Sequence, residues 1–141
     1  MLTIYTSGYG YSHRHCCALV IWFCEKYLPR HKIEIEVLHR GLVREGFYGL
    51  CSVRDCDWRP RSFLIEIHNR LSKEDYMKTL FHEMQHILQH IRGDLRDKRG
   101  IRCWKGIDCE DLDYEQMPWE ISAKEAEERL YGEYMEYLKN N

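Results

Sequence analysis

The chain has 141 residues, 44% of them hydrophobic and 13% aromatic, which suits one folded domain over residues 1–141 and excludes a disordered chain. Its formal net charge of −2 gives no overall pull toward nucleic acid or an anionic membrane. The start, Met1 to Thr6, lacks a basic stretch followed by an apolar one, and the apolar run from Cys16 to Cys24 is too short to span a bilayer, so a cytoplasmic protein with no membrane contact is expected.

Residues 2–6 predict a short strand, and Gly8-Tyr9-Gly10-Tyr11-Ser12 a turn that lacks the Lys-Ser/Thr ending of a phosphate loop. Residues 13–28 read as a buried helix stopped by Pro29. In residues 32–39, Ile33, Ile35 and Val37 alternate with Glu34 and Glu36, the pattern of a half-buried strand. Residues 47–53 and 62–68 are two further strands, with a turn region around residues 55–60 between them. Ser72 is an N-cap with Asp75 three residues later, Gly93 is a C-terminal stop, and Met77, Leu80, Met84, Ile87, Leu88 and Ile91 recur between them at helical spacing. Residues 93–117 read as an irregular stretch, and residues 118–138 as a last helix with Pro118 in its first position. Strands followed by helices predict an α+β fold: a small antiparallel or mixed sheet covered on one side by the N-terminal and central helices, then the C-terminal helix.

The central helix carries His82-Glu83-Met84-Gln85-His86, an H-E-x-x-H string. Residues four apart project from one side of a helix, opposite the apolar stripe here. Two imidazoles can therefore bind one Zn²⁺ while Glu83 reaches a metal-bound water. His90 continues the row, but it sits two turns from His82, about 12 Å along the axis, too far for one ion on a straight helix. The third ligand must come from elsewhere. Glu120 in the first turn of the last helix is the choice, because the small Ala123 permits close approach to the metal helix; Glu127 is the alternative.

With Met117-Pro118-Trp119-Glu120-Ile121-Ser122-Ala123 following the H-E-x-x-H helix, residues 60–138 resemble the small gluzincin metallopeptidases, which include SprT-like and ImmA/IrrE-like proteins and compact phage-encoded relatives. The resemblance implies a zincin-like fold, with His82, His86 and Glu120 as zinc ligands and Glu83 as general base. It also implies that the strand before the zinc helix, residues 63–67, is the sheet edge and can pair with an extended peptide. The cysteine-rich zinc ribbon of longer SprT proteins and the helix-turn-helix partner of some ImmA/IrrE-like chains are both missing.

The expected activity is zinc-dependent peptide-bond hydrolysis on a protein or peptide substrate, with Glu83 passing the water proton to the leaving amine and Tyr114 or His90 as oxyanion donors. Two rivals are a zincin-fold regulatory or binding protein without turnover, and a DNA-associated SprT-like protease using the basic segment 92–105 as a lid or nucleic-acid contact. Trp104 and Trp119 bracket that segment and pin it to the body or line a pocket. An odd number of cysteines, seven, argues against a disulfide framework; Cys51, Cys56, Cys103 and Cys109 could form a second metal site at loose spacing, with plain thiols as the default.

Overall fold

The structure, a computed structural model, describes residues 1–56 and 58–141. Four strands form the main sheet: β1 (Leu2–Gly8), β2 (Ile33–Arg40), β3 (Gly49–Val53) and β4 (Ser62–His68), in the spatial order β1-β2-β4-β3. β1, β2 and β4 run parallel, and β3 closes one edge antiparallel to β4. The fold is α+β with a mixed sheet.

The period-2 pattern decides which face is covered. Ile33, Ile35 and Val37 of β2 and Phe63, Ile65 and Ile67 of β4 are all buried, while the intervening Glu34, Glu36, Leu64 and Glu66 are at least partly open. Helix α1 (His13–Tyr27) supplies Leu19, Val20 and Phe23 to the buried face, and helix α2 (Lys73–Arg92) supplies Met77, Leu80, Met84 and Ile87. Helix α3 (Pro118–Lys139) lies against α2 through Ala123, Ala126, Leu130 and Tyr134. Trp22 of α1 and Phe81 of α2 meet the Tyr134 ring at 5.3 and 5.9 Å between centroids, tying the three helices together.

Two expectations are corrected. The strand of residues 63–67 is internal, because β3 returns along its outer side; the edge beside α2 is β3. The stretch after Gly93 is an antiparallel meander of β5 (Leu95–Lys98), β6 (Ile101–Trp104) and β7 (Ile107–Asp108). Its turns place Arg99-Gly100 and Lys105-Gly106 at positive φ (54° and 80°, 50° and 83°), the backbone of a tight hairpin with two left-handed residues. Within the basic segment Arg96 and Arg102 are partly buried, whereas Arg92, Lys98, Arg99 and Lys105 stay exposed. Arg102 pairs with Asp97, and the Arg96 guanidinium lies 4.9 Å from the Trp58 ring centre.

No helix among the described residues is long and apolar enough to cross a membrane.

Candidate metal centre

Helix α2 starts where Ser72 Oγ accepts the Asp75 N–H at 3.2 Å, and it stops where Gly93 turns left-handed at φ 82°. Between those ends its apolar stripe faces the sheet and its other side faces α3. His82 and His86 project from that second side, one turn apart, with ring centroids 5.1 Å from each other. Glu83 and His86 are almost fully buried.

Helix α3 opens with Pro118 in the first turn, where its missing N–H costs nothing, and Glu120 follows in the same turn. Ala123, fully buried, is one turn further on and keeps the two helices close. Glu120 Oε1 lies 2.9 Å from His82 Nε2 and 3.1 Å from His86 Nε2, and one donor atom of each residue falls within 4.8 Å of the others. Donors around a tetrahedral zinc sit about 3.3 Å apart, as metal–ligand bonds of 2.0–2.1 Å require. The three side chains therefore fit a small divalent ion with two nitrogen donors and one oxygen donor. Among the described residues they are the one group of three or more His, Cys, Asp or Glu side chains so gathered. Cys51, Cys56, Cys103 and Cys109 do not converge on a second site.

Other contacts orient these donors. His86 Nδ1 donates to Gln89 Oε1 at 2.8 Å, a bond that fixes the ring with Nε2 toward Glu120 and would leave that nitrogen's lone pair to an ion bound there. Gln89 in turn donates through Nε2 to the carbonyl of Trp119 at 3.0 Å, fixing the turn that carries Glu120. Glu127, the alternative ligand, sits behind the His82 ring, 3.8 Å from Nδ1, so geometry favours Glu120 at the metal position.

Burial penalises every charge here, and the partners decide who keeps one. Burial disfavours the His82 cation, yet Glu120 and Glu127 outweigh it and push the pKa up to about 10. Burial would also raise Glu120, but hydrogen bonds from both imidazoles hold its carboxyl far below the usual range. Burial lifts Glu83 to about 7, with the His86 and His82 charges pulling the other way. His90 falls to about 4, through burial and then the charge of Arg102. These values describe the metal-free site.

A cavity of about 170 Å³ opens onto the group. His82, Glu83, His86 and Glu120 line it together with Gly49 and Cys51 of β3, and with Leu95 and Arg102 of the meander. Tyr114, largely exposed, stands at its rim, where burial and the Glu120 charge raise its phenol to about 12. Trp119 is buried at the cavity wall, whereas Trp104 is only half-buried. Burial and the Glu83 charge keep the Cys51 thiol well above its usual pKa.

Gly49 and Gln89 escaped the sequence reading, and Arg102 entered it only as part of the basic segment 92–105, without a place at this site. Gly49 lets the edge strand pass close to the helix: a Cβ there would come within 2.8 Å of both Glu83 Oε2 and Thr79 Cγ2. Gln89 sits three residues after His86, a spacing that brings helix side chains together and could have flagged it. Arg102 became visible only with the register of the meander. Set against known protein families, curated proteins and solved structures, the chain has no match.

Proposed function

We propose that this chain is a zinc-dependent metallopeptidase with a zincin-like fold, similar in plan to the small gluzincins. The observation that carries this is the convergence of His82, His86 and Glu120 beside a buried Glu83 whose pKa lies near 7. Two nitrogens and one oxygen suit Zn²⁺ and leave a coordination position free. Bound there, zinc would supply a more acidic water and a polarised scissile carbonyl.

The chain's own residues account for the remaining chemistry. Glu83 makes no hydrogen bond to another side chain among the described residues, so its carboxylate is free to take a water proton and return it to the leaving amine. His90, neutral above about pH 4, and Tyr114, protonated to about pH 12, are the donors for a developing oxyanion. The β3 edge offers a backbone guide for the peptide. Tyr48 and Arg54 bond across to His68 and Ser62, so alternation turns the N–H and C=O of Gly49, Cys51 and Val53 toward the open side. An extended peptide adding to that edge would pass over the cavity. Seven free cysteines agree with a reducing, cytoplasmic setting.

The test is hydrolysis of an unfolded protein such as casein by the zinc-loaded chain. Chelator should abolish it, and Glu83→Gln should keep the metal while losing about 10²-fold or more in rate. Undiminished turnover in Glu83→Gln would overturn the assignment. A second reading, contact with nucleic acid, draws on Arg96 and Lys98 beside the exposed Trp58; salt-sensitive DNA binding would be its signature.

A further inference from the structure

The β5–β6 hairpin pairs Leu95 with Trp104 and Asp97 with Arg102. Cross-strand partners share a face, so Leu95, Asp97, Arg102 and Trp104 point one way, while Arg96, Lys98, Ile101 and Cys103 point the other. Leu95 and Arg102 line the metal cavity, which makes the first face the inner one.

Arg102 is held there in a fixed orientation. Its Nε and Nη2 donate to Asp97 Oδ1 and Oδ2 at 2.8 and 3.0 Å, a two-point grip along one edge of the guanidinium. Its Cζ lies over the ring of Trp119, the residue directly before Glu120 in sequence, 5.6 Å from the ring centre. A guanidinium carries five N–H groups, and Asp97 takes two. The other three find no acceptor among the described residues. The Arg102 side chain is 41% exposed. A preoriented fork with an open edge, in the wall of a cavity of about 170 Å³, matches the planar two-oxygen geometry of a carboxylate.

Resting on the peptidase reading above, we propose that Arg102 is a specificity residue that anchors a carboxylate of the peptide substrate beside the metal group. The carboxylate comes either from a free peptide C-terminus or from an acidic side chain near the scissile bond. Asp97 is the positioning residue that aims the fork, and Trp119 is the platform beneath it.

The test is calorimetric titration of zinc-loaded Glu83→Gln protein with matched peptides. One is neutral and C-terminally amidated, one has a free C-terminal carboxylate, and a third set is amidated with a single Glu stepped through each position. At least one carboxylate peptide should bind about tenfold or more tightly than the neutral peptide, the scale of a charge-assisted bidentate contact. Which one does so names the source. Adding Arg102→Gln should bring the ratio near one, Arg102→Lys should keep part of it, and Asp97→Asn should weaken it while leaving the Arg102 charge in place. Should Arg102→Gln not fold, the Lys and Asn variants read the same ratio. Equal binding of all peptides, or a preference that survives these substitutions, would overturn the proposal. Failure of the peptidase reading looks different. Then the protein holds no zinc, casein is not cleaved, and the same titration on metal-free protein still reports whether Arg102 prefers carboxylates.

Discussion

Gln89 on α2 and Trp119 on α3 are joined by a hydrogen bond of 3.0 Å from the amide Nε2 to the backbone carbonyl. This is a tether between the helix that carries both histidines and the turn that carries Glu120. The same amide accepts from His86 Nδ1 at 2.8 Å, so one buried side chain sets a ring orientation and a helix docking together. Partners of this kind typically govern metal affinity by 10- to 100-fold. Gln89→Leu is expected to weaken zinc binding by about that factor while keeping the fold, as read by competition against a chromogenic chelator.

Gly49 offers a test of the edge strand. A methyl group there meets Glu83 Oε2 and Thr79 Cγ2 at 2.8 Å, and also Glu83 Cγ at 3.1 Å. The Glu83 carboxyl can swing away, but Thr79 is a stiff, packed neighbour. Gly49→Ala should therefore cost about 1–3 kcal/mol in stability, the range for overpacking, and displace Glu83. Turnover should fall further than stability explains, with the zinc content unchanged. A variant as active and as stable as the parent would show that β3 does not press on the Glu83 carboxyl.

The His82-His86-Glu120 group carries charge that a divalent ion bound there would have to displace. His82 titrates near 10 in the folded chain against an ordinary 6.5, so its contribution to stability is complete below pH 6.5 and is lost as pH rises through about 10. Glu83, raised from 4.5 to about 7, favours the folded state below 4.5 and loses that contribution as pH rises to about 7. Metal-free protein should therefore melt at lower temperature at pH 9 than at pH 6, and zinc should remove most of the difference. Zinc uptake at pH 8 should release about one proton per ion or more, seen as a buffer-dependent binding enthalpy. Uptake without proton release would contradict the charged His82.

His90 governs the acid side. Its folded pKa of about 4, against 6.5, makes protonation unfavourable in the native chain. Stability is then lost as pH falls from 6.5 toward 4, by roughly 3 kcal/mol. Beyond burial, the charged groups facing His90 are Arg102 and His86, which add to the shift, and Asp97, which opposes it. His90→Gln should flatten the loss of stability between pH 6.5 and 4 in denaturant titrations.

The α2 ends were legible because Ser72 and Gly93 are local signals, each acting within one turn of the helix. Glu120 was legible because proline, a first-turn carboxylate and a small residue one turn later describe a close helix contact. The position of β4 was not, since strand order depends on which distant segments pair, and nothing in Ser62–His68 states that β3 returns outside it. The meander was hidden for another reason. Its strands are two to four residues long and charged, and its left-handed turn positions fall on Arg99 and Lys105 in place of the usual Asn or Asp before glycine. Arg102 therefore reads in sequence only as one charge of the basic segment 92–105, and the register is what puts it opposite Asp97.

Metal content measured by elemental analysis on the wild-type chain and on His82→Ala, His86→Ala and Glu120→Gln separates the three donors most directly. One zinc per chain is expected in the wild type, with each substitution weakening retention through desalting and His82→Ala abolishing it. A wild-type chain that takes up no divalent ion, or zinc retained in full by all three variants, would contradict a metal centre at this place.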